Sequence, residues 1–68
     1  EDSQFAQMVR IVFAERRKTL RNNLKKGGVG SLERIDGVLS ELGIDPRLRG
    51  ERLTVNQLRS LTKALILN

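Results

Sequence analysis

Apolar residues recur along this chain at the 3.6-residue spacing of helices, never at the two-residue alternation of a strand over a useful length. Glycine-containing breaks then cut the pattern into short pieces. Phe5, Met8, Val9, Val12 and Phe13 fall at i, i+3, i+4, i+7 and i+8, which predicts a first helix over about 3–14, with Asp2 or Ser3 placed to accept its free N–H groups. In the next segment, Arg16 to Lys26, only Leu20 and Leu24 are apolar, one turn apart, enough to dock a short helix by a narrow stripe. Gly27-Gly28-Val29-Gly30 ends that helix and Ser31 caps a third, whose Leu32, Ile35, Val38, Leu39 and Leu42 form the buried arc. Gly43 suits a left-handed stop, Ile44 supplies the accompanying apolar contact, and Pro46 forbids continuation. Asp45 to Gly50 reads as a single turn capped by Asp45 with Pro46 in its first position. Thr54 and Gln57 have the spacing of a capping box, Leu53 and Leu58 that of a hydrophobic staple, and Val55, Leu58, Leu61, Leu65 and Ile66 give the buried face of a final helix. Helices this short are marginal in isolation, so they must share a core. The expected fold is all-α: a single-domain bundle of about four helices plus a short helical turn, spanning residues 1–68.

Chemistry is bounded by what the chain lacks. With no Cys and no His there is no disulfide framework, no thiolate or imidazole metal site and no triad. Glu33, Asp36, Glu41, Asp45 and Glu51 are scattered among basic neighbours at spacings that suit helix ends and ion pairs rather than a metal cluster. No catalytic, cofactor-binding or metal-ligating residue is nominated, and the chain is not expected to be an enzyme by itself. No apolar run approaches the roughly 20 residues of a membrane span, and the N-terminus lacks the order of a signal peptide, so a soluble, cytoplasmic domain is expected without membrane partners. The first residues already enter an amphipathic pattern, and we read the chain as a piece of a longer protein.

Charge is the informative feature. Thirteen Lys and Arg face eight Asp and Glu. Between residues 10 and 26 the basic residues Arg10, Arg16, Arg17, Lys18, Arg21, Lys25 and Lys26 meet the single acid Glu15, which leaves the rest of the chain near neutral. On a continuous helix Lys18, Arg21 and Lys25 fall within about 60° of one another, opposite Leu20 and Leu24, so burying the leucines turns the cations outward together. Clustered like charges repel unless a polyanion offsets them, and guanidinium groups grip phosphate oxygens in pairs. Asn22 and Asn23 add amide donors for sugar, phosphate or base edges. The candidate nucleic-acid-binding residues are therefore Arg10, Arg16, Arg17, Lys18, Arg21, Asn22, Asn23, Lys25 and Lys26. Against this stand a solvated basic face that serves solubility and a basic surface for an acidic protein or a membrane. Two leucines are a poor membrane anchor, and two aromatics expected in the core make no base-stacking platform, so backbone and shape recognition is the favoured mode.

Lys26 to Ser31 has the glycine content of a nucleotide-hydrolase phosphate loop but not its chemistry. Ser31 stands where that loop needs Lys, Leu32 follows, and a helix precedes it rather than a strand. The segment reads as an interhelical turn, with the N–H groups at the start of the following helix able to hold one backbone phosphate.

Arg16-Arg17-Lys18-Thr19-Leu20-Arg21-Asn22-Asn23-Leu24, preceded by Val9-Arg10 and Phe13-Ala14, resembles the start of the C-terminal domain of the bacterial ribosomal RNA adenine dimethyltransferases, the kasugamycin-resistance family. Leu42-Gly43-Ile44-Asp45-Pro46, then Arg49-Gly50-Glu51 and Leu53-Thr54-Val55, then Leu61 and Ala64-Leu65 resemble the rest of that domain in the same order. The resemblance implies a helical C-terminal domain that follows an S-adenosylmethionine-dependent methyltransferase domain. The whole enzyme would add two methyl groups to N6 of each of two adjacent adenosines near the 3′ end of small-subunit (16S) ribosomal RNA during subunit maturation. Neither a cofactor loop after a strand nor the family's Asn-apolar-Pro-aromatic motif occurs here, so the implied task of this piece is to grip and orient RNA of the 30S subunit beside the N-terminal domain of the same chain. Lys26 to Ser31 is richer in glycine than the family implies, and Arg52, Arg59 and Lys63 add charge beyond its pattern. The competing readings are a structural domain that packs on the catalytic domain, and a helix-turn-helix DNA module with residues 16–26 as reading helix.

Overall fold

The computed structural model describes residues 2–67, and side chains from Ser3 to Leu67. Four helices are seen among them: α1 (Asp2–Val12), α2 (Leu20–Lys26), α3 (Leu32–Leu42) and α4 (Val55–Leu61), the last continued by a π turn over Thr62–Ile66. A 3-10 turn, Gly50–Arg52, precedes α4, and no strand occurs among the described residues. The all-α bundle matches the expectation. Helix α1 packs on α2 and α4, α2 on α3, and α3 on α4.

The core is built from two or three residues of each helix. Met8 and Val12, Leu20 and Leu24, Ile35 and Leu39, and Leu58, Leu61 and Leu65 are buried together with Ile44. Each such side chain contributes about 1.5–3 kcal/mol of burial. Leu20 and Leu24 are both fully enclosed, as the narrow stripe on α2 requires.

Local hydrogen bonds set the helix ends. Ser31 Oγ accepts from the Arg34 amide, and Thr54 and Gln57 make both bonds of the capping box. Gly43 stops α3 at φ 71°, which lets the Ile44 amide donate to the Leu39 carbonyl and carries Ile44 into the core. Ser3 lies inside α1 rather than before it, and the Asp2 side chain lies outside those described.

Several expectations are corrected. Helix α1 stops at Val12, so Phe13 leaves the helical face and is 44% exposed instead of entering the core. Leu42, at the end of α3, yields its place to Ile44, and Val55, in the first turn of α4, faces out. The single turn expected over 45–50 splits in two. Asp45 accepts from the Arg47 amide and closes a turn to Leu48, while the helical turn comes later, at Gly50–Arg52. Thr62 is buried, its hydroxyl donating to the Leu58 carbonyl where the α geometry gives way to the π turn.

Candidate nucleic-acid interface

Helix α2 starts at Leu20, not near Arg16, which changes how the basic segment is displayed. Residues 15–18 form a tight turn closed by the Lys18 amide donating to the Glu15 carbonyl, with Arg16 and Arg17 at its tip. Thr19 then caps α2, its Oγ1 accepting from the Asn22 amide. The Leu20 and Arg21 amides donate to the carbonyls of Leu48 and Pro46, so the first turn of α2 is tied to the segment after α3. Lys18 therefore stands before the helix, and the continuous stripe of Lys18, Arg21 and Lys25 expected on one helical face is not formed.

A different grouping replaces it. Arg16 and Arg17 line a cleft with Arg49 and Glu51, contributed by the 3-10 turn and the residue before it. The adjoining depression is lined by Val12, Phe13, Glu15, Arg16, Arg49, Gly50 and Glu51, which places the exposed Phe13 ring beside two of the three arginines, Arg16 and Arg49. All three guanidinium groups are on exposed residues, and none lies within ion-pair distance of an acid among the described residues. Arg49 was missing from the sequence-derived set. It is 32 residues from Arg17, and only the packing of Gly50 against Val12 and Phe13 brings it there; a Cβ at Gly50 would meet Val12 Cγ1 at 2.5 Å and its carbonyl oxygen at 3.0 Å.

Three of the nominated residues have other partners. Arg21 makes a paired contact to Asp36 of α3, Nε to Oδ1 at 2.6 Å and Nη2 to Oδ2 at 3.1 Å. The Arg21 hydrogen bond holds the Asp36 carboxyl below the usual carboxylate range, and the same bond pushes the guanidinium pKa up. Lys26 pairs with Glu15. Asn23 is a correction of another kind: it is 1% exposed, and its Nδ2 donates to the carbonyls of Val12 and Glu15, each at 3.0 Å. A side chain so enclosed offers nothing to an external ligand. Arg10, Asn22 and Lys25 are exposed, and Arg10 lines a separate groove between α1 and α2 with Gln7, Ile11, Ala14 and Lys26.

The glycine turn follows α2 rather than a strand, so it does not fit the phosphate or cofactor loop that nucleotide and S-adenosylmethionine sites use. Among the described residues no three acidic side chains come together as a metal site, and no helix is long and apolar enough to cross a membrane.

No protein-family model matches the chain. Among individual proteins it is 50% identical over 68 residues to the ribosomal RNA small subunit methyltransferase A of Geobacillus kaustophilus (strain HTA426), covering 96% of this chain and 23% of that protein. The proteins of the same name from Bacillus mycoides (strain KBAB4) and Bacillus cereus (strain B4264) are 44% and 42% identical over 71 residues, each covering all of this chain and 24% of its relative. Over its whole length the chain matches the C-terminal domain of these proteins. It spans about a quarter of the length of the curated relatives it matches.

Proposed function

We propose that this chain is the RNA-gripping, C-terminal domain of a small-subunit ribosomal RNA adenine dimethyltransferase. In this reading it holds the substrate on the 30S subunit in the cytoplasm, while the N-terminal domain of the longer protein binds S-adenosylmethionine, takes the adenosine out of its stack and transfers the methyl groups. This chain then supplies no catalytic residue and no cofactor ligand. The observation that carries the reading is the arginine cluster, Arg16, Arg17 and Arg49 lining one cleft with Glu51 and none of them in an ion pair among the described residues, in a chain whose relatives are named as ribosomal RNA methyltransferases.

Guanidinium groups brought to one cleft from two separate segments suit a ribose-phosphate backbone better than an isolated base. Each fork takes two oxygens of one phosphate, and contacts from two segments position the strand. Lys18, Arg10 and Lys25, exposed outside the cleft, add attraction at longer range. Phe13 offers one face against which an unpaired base or a ribose can lie.

The test is the salt dependence of binding to a folded fragment of small-subunit ribosomal RNA. Four neutralised phosphates give a slope of log K against log salt of about −3, whereas a packing domain gives a flat line. Duplex DNA of equal length separates the helix-turn-helix reading, which requires that it compete as well as the RNA. Replacing Arg16, Arg17 and Arg49 by Ala is expected to reduce the slope by about 2–3 with helicity unchanged.

A further inference from the structure

The turn that carries Arg16 and Arg17 is held from beneath by α2. Asn23, fully enclosed, donates one Nδ2 hydrogen to the carbonyl of Val12, the last residue of α1, and the other to the carbonyl of Glu15, the first residue of the turn. The Glu15 carbonyl also receives the Lys18 amide that closes the turn, at 3.1 Å, and one helical turn further along α2 Lys26 pairs with the Glu15 carboxylate. Gly50 packs against the same Val12 carbonyl, with Arg49 and Glu51 on either side of it. Both segments that line the arginine cleft thus meet at one point, the end of α1.

The Nδ2 group gives a partner to the Val12 carbonyl, which the end of α1 leaves without an intrahelical one, and a second donor to the Glu15 carbonyl. The arrangement also leaves Asn23 Oδ1 buried with no partner, so the side chain is oriented for its two donors and not for its acceptor. We infer that Asn23 is a positioning residue for the phosphate grip: by bracing the carbonyls of Val12 and Glu15 it fixes the Arg16-Arg17 tip opposite Arg49 before any ligand arrives. Lys26 assists through Glu15. Two residues that the basic sequence context places among the contacts act instead through the residues that make them, and the strand meets guanidinium groups whose spacing is already set.

This inference rests on the RNA reading, and a double-mutant cycle on the 68-residue chain separates the two. Binding to the folded ribosomal RNA fragment is measured against salt for the unmodified chain, Asn23→Ala, Arg16→Ala with Arg17→Ala, and all three together. Asn23→Ala is expected to keep its helical circular dichroism, to bind about tenfold more weakly, and to lower the salt slope by about 1.5, the share of two phosphates. The triple variant should bind no worse than the double arginine variant, because Asn23 acts through those arginines. Losses that add, against a steep slope for the unmodified chain, overturn the inference alone; a flat slope for the unmodified chain overturns the RNA reading and the inference with it. A second measurement does not depend on the variant folding. Backbone order parameters of residues 13–18 in the free chain should match those of the helices, about 0.85, and values below about 0.6 overturn the bracing.

Discussion

At the scale of single residues, the molecule sorts its cations by whether an acid already answers them. Arg21 is answered by Asp36, and the consequence can be read against pH. The carboxyl is held below its unfolded value, so the native chain binds fewer protons than the unfolded one as the pH falls. The stability from this pair is complete above the ordinary Asp pKa of about 3.9 and is lost as the pH drops through the depressed folded value. Asp36→Asn should therefore flatten the acid limb of a stability profile followed by circular dichroism between about pH 2 and 5, and leave the neutral-pH dependence unchanged. Binding gives the complementary reading. Arg21 already has its counter-charge, so Arg21→Ala should change the salt slope for RNA less than Arg16→Ala does. Gly50 sits at the same scale for a steric reason: a methyl group there has no room beside Val12 Cγ1 and the Val12 carbonyl. Gly50→Ala should cost about 1–3 kcal/mol in urea denaturation, with Arg49 displaced as the turn moves away.

At the scale of elements, α2 is seven residues long and its buried apolar side chains are Leu20 and Leu24 alone, its other contacts being polar ones through Arg21, Asn23 and Lys26. Leu24→Ala should cost about 2–5 kcal/mol, against about 1 kcal/mol for Thr54→Ala, which removes a cap but no core. Urea midpoints of the two variants check the ratio. The same contrast explains what could be read from the sequence. Ser31, Gly43 and the Thr54–Gln57 box act on partners three to five residues away, so their signals lie within one window of the chain, and all were legible. Leu20 and Leu24 were legible because nothing else on α2 can be buried cheaply. Asn23 was not: an amide beside Asn22 and Lys25 reads as surface, and its partners at Val12 and Glu15 become neighbours only when α1 and α2 dock. The start of α2 at Leu20 was missed for a related reason. Arg16, Arg17 and Lys18 are good helix formers, but the Thr19 cap and the carbonyls of Pro46 and Leu48 satisfy the first turn from outside, a tertiary effect that overrides propensity. Of the nine nominated contacts, the local charge cluster was visible, whereas its sorting into free and answered cations needed Asp36, 15 residues from Arg21, and Glu15, 11 from Lys26.

At the scale of the whole molecule, the question is whether net charge or its placement governs association. The chain carries a formal charge of +5 within 26 × 23 × 21 Å. At the ionic strength of a cell, exposed charges more than about 8 Å apart are largely screened from one another, so a body this wide does not act as one point charge. At about 3.4 Å per nucleotide along a duplex strand, its longest dimension spans about seven or eight phosphates, and the arginine cleft covers a fraction of that length. If net charge governed, removing any three cations would weaken RNA binding alike. If placement governs, Arg16→Ala with Arg17→Ala and Arg49→Ala must differ from a control of equal charge change, Arg52→Ala with Arg59→Ala and Lys63→Ala, all exposed, none lining the cleft and none in an ion pair among the described residues. The cleft set is expected to weaken binding more at 150 mM salt, because close-range paired contacts survive screening that erases diffuse attraction, and the two sets should converge at low salt as the screening length grows. Titrations of both variants at two salt concentrations measure this directly, and equal losses at 150 mM would assign the affinity to net charge and remove the cleft from its role.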